Sequence, residues 1–232
     1  MAYTKRMDGR AFDETREIEA KVGVIKKAKG SGYFRIGNTE AYAAVYGPRE
    51  MFPRFLADPK KGVLRCNYNM LPFSSAGERV RPGPSRRSRE ISLVTGKALN
   101  PVLDLSEYPN AVLDVFVELT KTDAGSRCAG ICAASLALAD AGIAMKDLVV
   151  AVACGHVDGQ ILVDLNYEEE AYEGAVADMP IAMLPRTGQI SLLQMDGEIT
   201  KEQVMQAIAA MKKVAPKIYE VQKKALKERF EV

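Results

Sequence analysis

The pentapeptide from Asp123 to Arg127, Asp-Ala-Gly-Ser-Arg, has the composition of an anion site at a helix start. Gly125 allows an anion to approach the backbone closely, and the Ser126 hydroxyl can cap the helix or donate to a ligand. Free N–H groups of the first helical turn attract an anion, and the Arg127 guanidinium matches phosphate oxygens. The pattern predicts a phosphate site, although an ordinary helix cap with a surface arginine has the same residues.

A second basic segment precedes another predicted helix. Five arginines lie within residues 79–89, and the helix is predicted to begin near Ser88. Arg86 and Arg87 stand just before it, which gives a second positively charged helix start. A solvated basic loop would explain this segment taken alone. Two such starts in one domain, however, suit a phosphate and a nucleotide backbone bound side by side.

An acidic segment follows in the second half of the chain. Six Asp or Glu residues and no Lys or Arg lie between Asp164 and Asp178, and three of them are consecutive, Glu168 to Glu170. Carboxylates in the stretch from Glu168 to Asp178 could hold Mg²⁺ or donate a proton. A solvated loop explains the consecutive glutamates. It explains Asp178 less well, because that residue directly precedes an apolar strand.

Histidine and cysteine usage limits the metal chemistry. The single histidine, His156, excludes a zinc site built from two or three histidines, and it is expected at the surface in a turn. The four cysteines, Cys66, Cys128, Cys132 and Cys154, have no paired two-residue spacing. Cys128 and Cys132 share one face of an Ala-rich predicted helix, which favours small buried residues over metal ligands.

Composition indicates a globular protein with two oppositely charged regions. The 232 residues are 47% hydrophobic and 27% charged, with a net charge of +2. Residues 54–89 hold nine Lys or Arg against two acids, so a polyanion is an expected partner. No apolar run approaches the ~20 residues of a membrane helix, and no signal-peptide stretch stands at the start. We expect a cytoplasmic protein with no membrane contact.

Hydrophobic periodicity predicts one α+β domain over residues 1–232, with a β-rich meander in the N-terminal third. A capping box at Thr200 and Gln203 begins a final helix, which Pro216 is expected to kink or break. The other predicted elements are strands at 17–25, 33–37, 40–46, 63–71, 111–119, 149–154, 160–166, 181–184 and 189–194, and helices at 88–99 and 127–141.

Taken together, the motifs resemble the RNase PH family of phosphorolytic exoribonucleases, most of all its catalytic ring members in archaeal exosomes. The resemblance covers nearly the whole chain, and the order of the motifs makes it specific. The matching segments are 10–17 (RAFDETRE), 37–48 (GNTEAYAAVYGP), 84–91 (PSRRSREI), 123–127 (DAGSR), 133–142 (AASLALADAG) and 177–183 (ADMPIAM).

The resemblance implies a fold like domain 2 of ribosomal protein S5, with mixed sheets, packed helices and two βαβ-like halves at roughly 1–146 and 147–232. It implies a hexameric ring of three copies that alternate with a related non-catalytic RNase PH-type subunit. RNA would enter a central channel beneath RNA-binding cap subunits. Inorganic phosphate, the co-substrate, would attack the last phosphodiester at the RNA 3′ end and release nucleoside diphosphates.

The resemblance also assigns roles to basic residues. Gly125, Ser126 and Arg127 match the family's phosphate-binding turn, and Arg127 is expected to be catalytic. Arg87 matches an arginine near the phosphate and the terminal nucleotide and is also expected to be catalytic, with Arg86 as its helper. Both are therefore expected to bind RNA.

The acidic and channel positions carry two departures from the family pattern. Asp178 matches the aspartate that acts as general acid or Mg²⁺ ligand. A second aspartate, expected six residues earlier, is Tyr172 here, and Glu170 is the best substitute as catalytic residue and Mg²⁺ ligand. Arg65 matches an arginine that grips RNA in the channel, but the second channel arginine is Asn67.

Phosphorolysis agrees with this inventory because phosphate itself supplies the nucleophile, so no histidine-based triad is required. Arginines and a helix start offset the repulsion between the two anions that react, inorganic phosphate and the RNA phosphodiester. Three alternatives remain: a non-catalytic RNA-binding ring subunit, a stand-alone tRNA-trimming RNase PH, and a Mg²⁺-dependent hydrolytic nuclease that would release monophosphates.

Overall fold

The computed structural model describes residues 3–75 and 77–231, which fold into two five-stranded sheets packed with helices. The strands are β1 (Ile18–Val22), β2 (Gly30–Ile36), β3 (Thr39–Glu50), β4 (Val63–Met70), β5 (Ala111–Lys121), β6 (Val150–Val157), β7 (Gln160–Val163), β8 (Val176–Met183), β9 (Ile190–Leu193) and β10 (Asp196–Gly197), and the helices are α1 (Arg86–Leu99), α2 (Ser126–Asp140), α3 (Tyr167–Glu170) and α4 (Lys201–Phe230). The predicted α+β class is confirmed.

The first sheet has the strand order β1-β2-β3-β5-β4. Strands β1 to β3 form the predicted antiparallel meander, and β3 continues antiparallel to β5. Strand β4 pairs parallel to β5, and α1 lies in the connection between them. This β4–α1–β5 unit places the start of α1 beside the end of the sheet where β5 leads into α2.

The second sheet has the order β10-β8-β6-β7, with β9 also paired to β8. All of its pairings are antiparallel. One buried cluster of hydrophobic side chains includes residues of both sheets and of α1, α2 and α4. The division into halves at residue 146 stays a prediction.

Helix α2 lies buried between the sheets, with twelve of its fifteen residues inaccessible to solvent. It packs closely because its side chains are small, and because Gly32 of β2 faces it. A Cβ at Gly32 would come within 2.5 Å of the Ala133 carbonyl oxygen, so only glycine fits there. Cys128 and Cys132 are buried in this helix, as the prediction of a structural role requires. The surrounding core fixes the N-terminus of α2.

The final helix, α4, continues from Lys201 to Phe230 past Pro216, so the break that was one of the two predicted outcomes does not occur. Proline has no N–H group to donate to the carbonyl group four residues earlier in the helix. Because Pro216 is exposed, water can bind that carbonyl group instead. The opposite face buries Met211, Ala215 and Ile218. That burial stabilises the helix on both sides of the proline. No helix of the described residues has the length and apolarity to cross a membrane.

The single histidine corrects another prediction. His156 lies within β6 rather than in a surface turn, and only 4% of it is exposed. Its Nε2 atom lies 2.8 Å from the carbonyl oxygen of Glu198, just after β10. The histidine therefore ties β10 to the sheet.

Candidate active site

A cavity of about 550 Å³ lies where α1, α2, α3, β8 and β10 converge. It collects residues from both sheets and from three helix ends. The predicted site residues that line it are Arg87, Gly125, Ser126, Arg127, Glu170 and Asp178. Residues up to 91 positions apart in the sequence thus share one solvent-accessible space.

The turn before α2, residues 123–125, has an unusual backbone. Ala124 and Gly125 have φ values of 57° and 60°, both in the left-handed region, which costs a non-glycine residue about 1 kcal/mol. Gly125 is the N-cap, and Ser126 is the first helical residue, so the predicted capping by the Ser126 hydroxyl is wrong. The N–H groups of Ser126 and Arg127 have no intrahelical acceptor and can bind an anion.

Arg127 is held by two residues that the sequence analysis did not identify. Its Nη1 atom donates to Oε1 of Gln194 at 2.6 Å and lies 3.5 Å from Oε1 of Glu90. Nε2 of Gln194 donates to the same Glu90 oxygen at 2.8 Å. The guanidinium group is therefore oriented before any ligand binds, which lowers the cost of anion capture.

Helix α1 begins two residues earlier than predicted, at Arg86. Ser85 is its N-cap, and its hydroxyl accepts from the Ser88 N–H at 2.9 Å while the Ser88 hydroxyl accepts from the Ser85 N–H at 2.8 Å. Arg86 and Arg87 consequently lie in the first turn, which contains no acidic residue. Arg87 lines the cavity, whereas Arg86 is exposed and lies outside its lining.

The two carboxyl groups on the acidic side of the cavity, those of Glu170 and Asp178, are half-buried and have raised pKa values. Burial raises the pKa of Glu170 to about 7, the charge of Asp178 adds to this rise, and the Gly125 N–H and Arg87 oppose it. Burial also raises the pKa of Asp178 to about 6, against the lowering effect of Arg127. Both carboxyl groups can therefore change protonation near neutral pH.

Asp196 is a third carboxylate of the cavity, and the sequence analysis missed it. It pairs directly with Asp178 across β10 and β8, and its negative charge contributes to the raised pKa of Asp178. The Oδ1 atom of Asp178 is buried without a hydrogen-bond partner in the described structure. This side of the cavity thus has a carboxylate oxygen that makes no hydrogen bond to the described protein and can bind a ligand.

The three consecutive glutamates have three different environments. Glu168 is exposed, Glu169 is fully buried, and Glu170 lines the cavity. The Glu169 carboxylate accepts from Nε and Nη2 of Arg6 at 2.8 and 2.7 Å and from the Tyr3 hydroxyl at 3.0 Å. Of the three glutamates, only Glu168 therefore has the environment expected of a solvated loop.

Tyr172 occupies the family position of the second aspartate, and its hydroxyl donates to Oδ2 of Asp158 at 2.9 Å, away from the cavity lining. Glu170 stands in the lining instead. Helix α3 thus carries a carboxylate to the cavity at its last residue. The geometry thus favours Glu170 over residue 172 as the partner of Asp178.

Arg65 lies on β4, apart from the cavity. Its Nη2 atom donates to Oδ2 of the buried Asp114 at 3.0 Å, and Arg49 bonds to the same carboxylate. Arg65 keeps 41% of its side chain exposed and lines a separate cavity of about 460 Å³. It stands five residues before Met70, which lines the active-site cavity, so about 17 Å of extended strand separates them.

Comparison with protein families identifies the class. Residues 14–144 match domain 1 of the RNase PH 3′ exoribonuclease family, and residues 147–214 match domain 2. The chain belongs to the RNase PH family of 3′ exoribonucleases. It is a phosphorolytic 3′-to-5′ exoribonuclease, and the predicted enzyme class is confirmed.

Individual relatives are similar over almost their full length. The exosome complex component Rrp41 of Methanopyrus kandleri is 49% identical and aligns with 97% of this chain and 93% of its own. Rrp41 of Thermococcus kodakarensis is 51% identical, with 97% and 90% aligned.

Two solved structures share the fold at low sequence identity. Rice Rrp46 has a TM-score of 0.83 at 22% identity and aligns with 95% of this chain and 100% of its own. The Archaeoglobus fulgidus exosome with RNA bound to the active site has a TM-score of 0.78 at 24% identity, with 98% and 93% aligned. The predicted RNase PH-type fold is thereby confirmed.

Proposed function

We propose that this chain is the catalytic subunit of an exosome-type hexameric ring and that its reaction takes place in the 550 Å³ cavity. The observation that carries the proposal is the meeting of a basic helix start, at Ser126 and Arg127, with two carboxylates of raised pKa, Glu170 and Asp178. The starts of α1 and α2 supply the anion-binding groups, and α3 and β8 supply the carboxylates for the leaving oxygen.

Inorganic phosphate binds to the N–H groups at the start of α2 and to the Arg127 guanidinium. Arg87 binds the 3′-terminal phosphodiester from the start of α1. One phosphate oxygen forms a bond to the phosphorus atom while the bond from that phosphorus to the 3′ oxygen of the preceding nucleotide breaks. The fixed positive groups offset the repulsion between the two anions and align the attack.

The departing 3′ oxygen needs a proton or a cation. Asp178, with a pKa of about 6, is protonated in roughly a tenth of the molecules at pH 7 and can donate that proton. Glu170 and Asp178 also form the hard oxygen set that Mg²⁺ prefers, and the unpartnered Oδ1 atom of Asp178 suits a ligand role. Mg²⁺ held by these two carboxylates would neutralise the charge that develops on the leaving oxygen.

RNA reaches the cavity past Arg65 and Arg86. Arg65 stands at the far end of β4 and presents an exposed guanidinium edge, while Arg86 is exposed at the start of α1. Asn67 in place of a second channel arginine removes one charge from this path. We therefore expect fewer phosphate contacts in the channel than in family members with both arginines.

The ring we propose contains three copies of this chain, which alternate with a related non-catalytic subunit beneath RNA-binding caps, in the cytoplasm. The names of the curated relatives, exosome complex components, support this assembly. Exposed apolar side chains at Phe52 and Phe55, 79% and 83% accessible, supply surface that a subunit interface would bury.

Product analysis tests the proposal. A 3′-tailed RNA is incubated with the chain, alone and reconstituted with a ring partner, in the presence and absence of inorganic phosphate. We expect nucleoside diphosphates only when phosphate is present. Monophosphates released at a rate independent of phosphate would favour the hydrolytic alternative and contradict the proposal.

Light scattering on the same samples separates the assemblies. We expect the isolated chain to associate or to be poorly active, because the subunit interfaces are part of the working enzyme. A fully active monomer would contradict the ring. An active homohexamer would support the stand-alone tRNA-trimming enzyme instead.

A further inference from the structure

Arg16 connects the two sides of the cavity from within the protein. Its side chain is 8% exposed. Nη1 donates to the backbone carbonyl of Asp123 at 2.5 Å, while Nε and Nη2 donate to Oδ2 and Oδ1 of Asp164 at 2.9 and 2.7 Å. One guanidinium group thus binds the first residue of the turn before α2 and the first residue of the acidic segment.

Both ends of this connection are rigid. Asp164 is 1% exposed, adopts a left-handed φ of 56°, and accepts a further hydrogen bond from the Arg16 N–H at 2.8 Å. Asp123 is bound a second time, because its Oδ1 atom accepts from the Tyr167 N–H at 3.0 Å. Tyr167 begins α3, the helix that carries Glu170. The spacing between the turn and Glu170 therefore depends on groups that meet at Arg16 and Asp123.

We infer that Arg16 is a positioning residue for phosphorolysis, which holds the phosphate-binding turn at a fixed distance from the catalytic carboxylates. The inference rests on the proposed function of that turn. Arg16 acts through Asp123 and Asp164 and does not line the cavity. Lysine at this position keeps the charge but cannot bond to both partners in the plane of one fork.

Arg6 provides a matched control. It is 2% exposed, lies on the same N-terminal segment, and bonds to both oxygens of Glu169 in the same acidic segment, at 2.8 and 2.7 Å. Its other hydrogen bonds go to carbonyl groups at positions 11, 14, 163 and 164. Arg6→Lys consequently removes a buried guanidinium–carboxylate pair with two hydrogen bonds, as Arg16→Lys does, but makes no change at the turn before α2.

The experiment measures steady-state kinetics of the reconstituted ring with Arg16→Lys or Arg6→Lys. We expect Arg16→Lys to raise the KM for phosphate about tenfold or more, because small displacements at a reacting centre are costly. The KM for RNA should change less than twofold. Arg6→Lys should lower Tm and leave both KM values unchanged. An unchanged phosphate KM in Arg16→Lys, or equal changes in the two variants, would overturn the inference.

Arg127→Ala in parallel distinguishes the inference from the proposed function. If Arg127→Ala raises the phosphate KM and Arg16→Lys does not, only the role of Arg16 is wrong. If neither does, or if the wild-type ring needs no phosphate, the assignment of the turn itself is wrong. Asp164→Asn is the second variant, with the same kinetic expectation. Failure of both Arg16→Lys and Asp164→Asn to fold while Arg6→Lys folds would establish a purely structural role.

Discussion

The basic and acidic sides of the cavity carry their charges in different ways. Arg87 and Arg127 stand at helix starts with access to solvent, and a guanidinium keeps its charge without help from its surroundings. Glu170 and Asp178 are half-buried in the same cavity, and loss of hydration raises the pKa of each toward neutrality. From this comparison we expect the arginine side to bind anions at any pH near neutrality and the carboxylate side to exchange a proton or bind a cation.

The largest effect should follow loss of the permanent charge at the start of α2. Arg127→Ala removes the oriented guanidinium, and we expect phosphorolysis to fall about 10³-fold, the upper range for a fixed charge-stabilising donor. Thermal unfolding should change little, because Arg127 is a partly exposed group. Arg89→Ala, an exposed arginine of α1 outside the cavity lining, is the control and should keep its activity. Wild-type turnover of Arg127→Ala would refute the assignment.

The acidic side should be nearly as sensitive. Asp178→Asn keeps the size of the side chain and removes its charge and exchangeable proton, so turnover should fall about 10²-fold or more. RNA affinity should change little, because the channel arginines determine it. Glu170→Gln should cost less, and exposed Glu168→Gln is the control. Turnover is measured at saturating RNA and phosphate.

Glu169 is bound to Arg6 and cannot take the place of Glu170 in the cavity. Near-normal turnover of Asp178→Asn together with a collapse in Glu170→Gln would reverse the two roles. The principal catalytic carboxylate would then lie on α3 and not on β8.

Smaller effects separate Arg86 from Arg87, the two neighbouring arginines in the first turn of α1. Arg86→Ala should weaken RNA binding a few-fold and reduce the slope of log affinity against log salt by about 1, because one phosphate contact is lost. Arg87→Ala should also lower turnover, since Arg87 lines the cavity. Equilibrium binding at several salt concentrations, with turnover measured alongside, checks both. Identical turnover losses would show that the two residues share one role.

The smallest predicted effect is a pH-dependent difference in stability between neighbouring glutamates. The raised pKa of Glu170, about 7, means that the native state binds its proton more tightly than the unfolded chain does. Its contribution to stability is therefore present at low pH and decreases as pH rises from about 4.5 to 7. Glu170→Gln should gain a few degrees in Tm over wild type across that interval.

Glu169 should behave in the opposite way. Burial raises its pKa, but the hydrogen bonds from Arg6 and the Asn166 N–H leave the pKa below its usual value. Its contribution is present above about pH 4.5 and is lost as pH falls toward the lowered pKa. Between pH 5 and 7, the Tm of Glu169→Gln should therefore lie below the Tm of wild type by a constant amount. Metal-free thermal unfolding at several pH values measures both variants, and parallel curves for Glu170→Gln and wild type would contradict the assignment.

The sequence was most informative where chemistry depends on neighbours along the chain. The turn before α2, the start of α1 and Asp178 were all predicted from local pattern, and all reach one cavity. Gln194 and Asp196 were missed because nothing in their own segment links them to residues 18 to 67 positions away. Their partners become neighbours only when β9 and β10 pair with β8.

The glutamates of α3 show the same limit of prediction from sequence, because identical residue types have different environments. Successive helical side chains point about 100° apart, so Glu169 and Glu170 face different parts of the protein. The sequence analysis could not tell which one faces the core, because that depends on Arg6, 163 residues away. His156 was misplaced for a similar reason, since its polar partner is a backbone carbonyl 42 residues downstream.

The long separation in sequence between the N-terminal arginines and their partners also determines when these ion pairs can form during synthesis of the chain. Arg16 is bound 148 residues from its own position, and Arg6 is bound 163 residues away. At a translation rate of 5–20 residues per second, roughly 150 residues take about 8 to 30 s to synthesise. Throughout that time Arg16 lacks its partner Asp164 and Arg6 lacks its partner Glu169. The two sides of the cavity are therefore joined late, and a ribosome-bound fragment that ends before the acidic segment contains no competent active site.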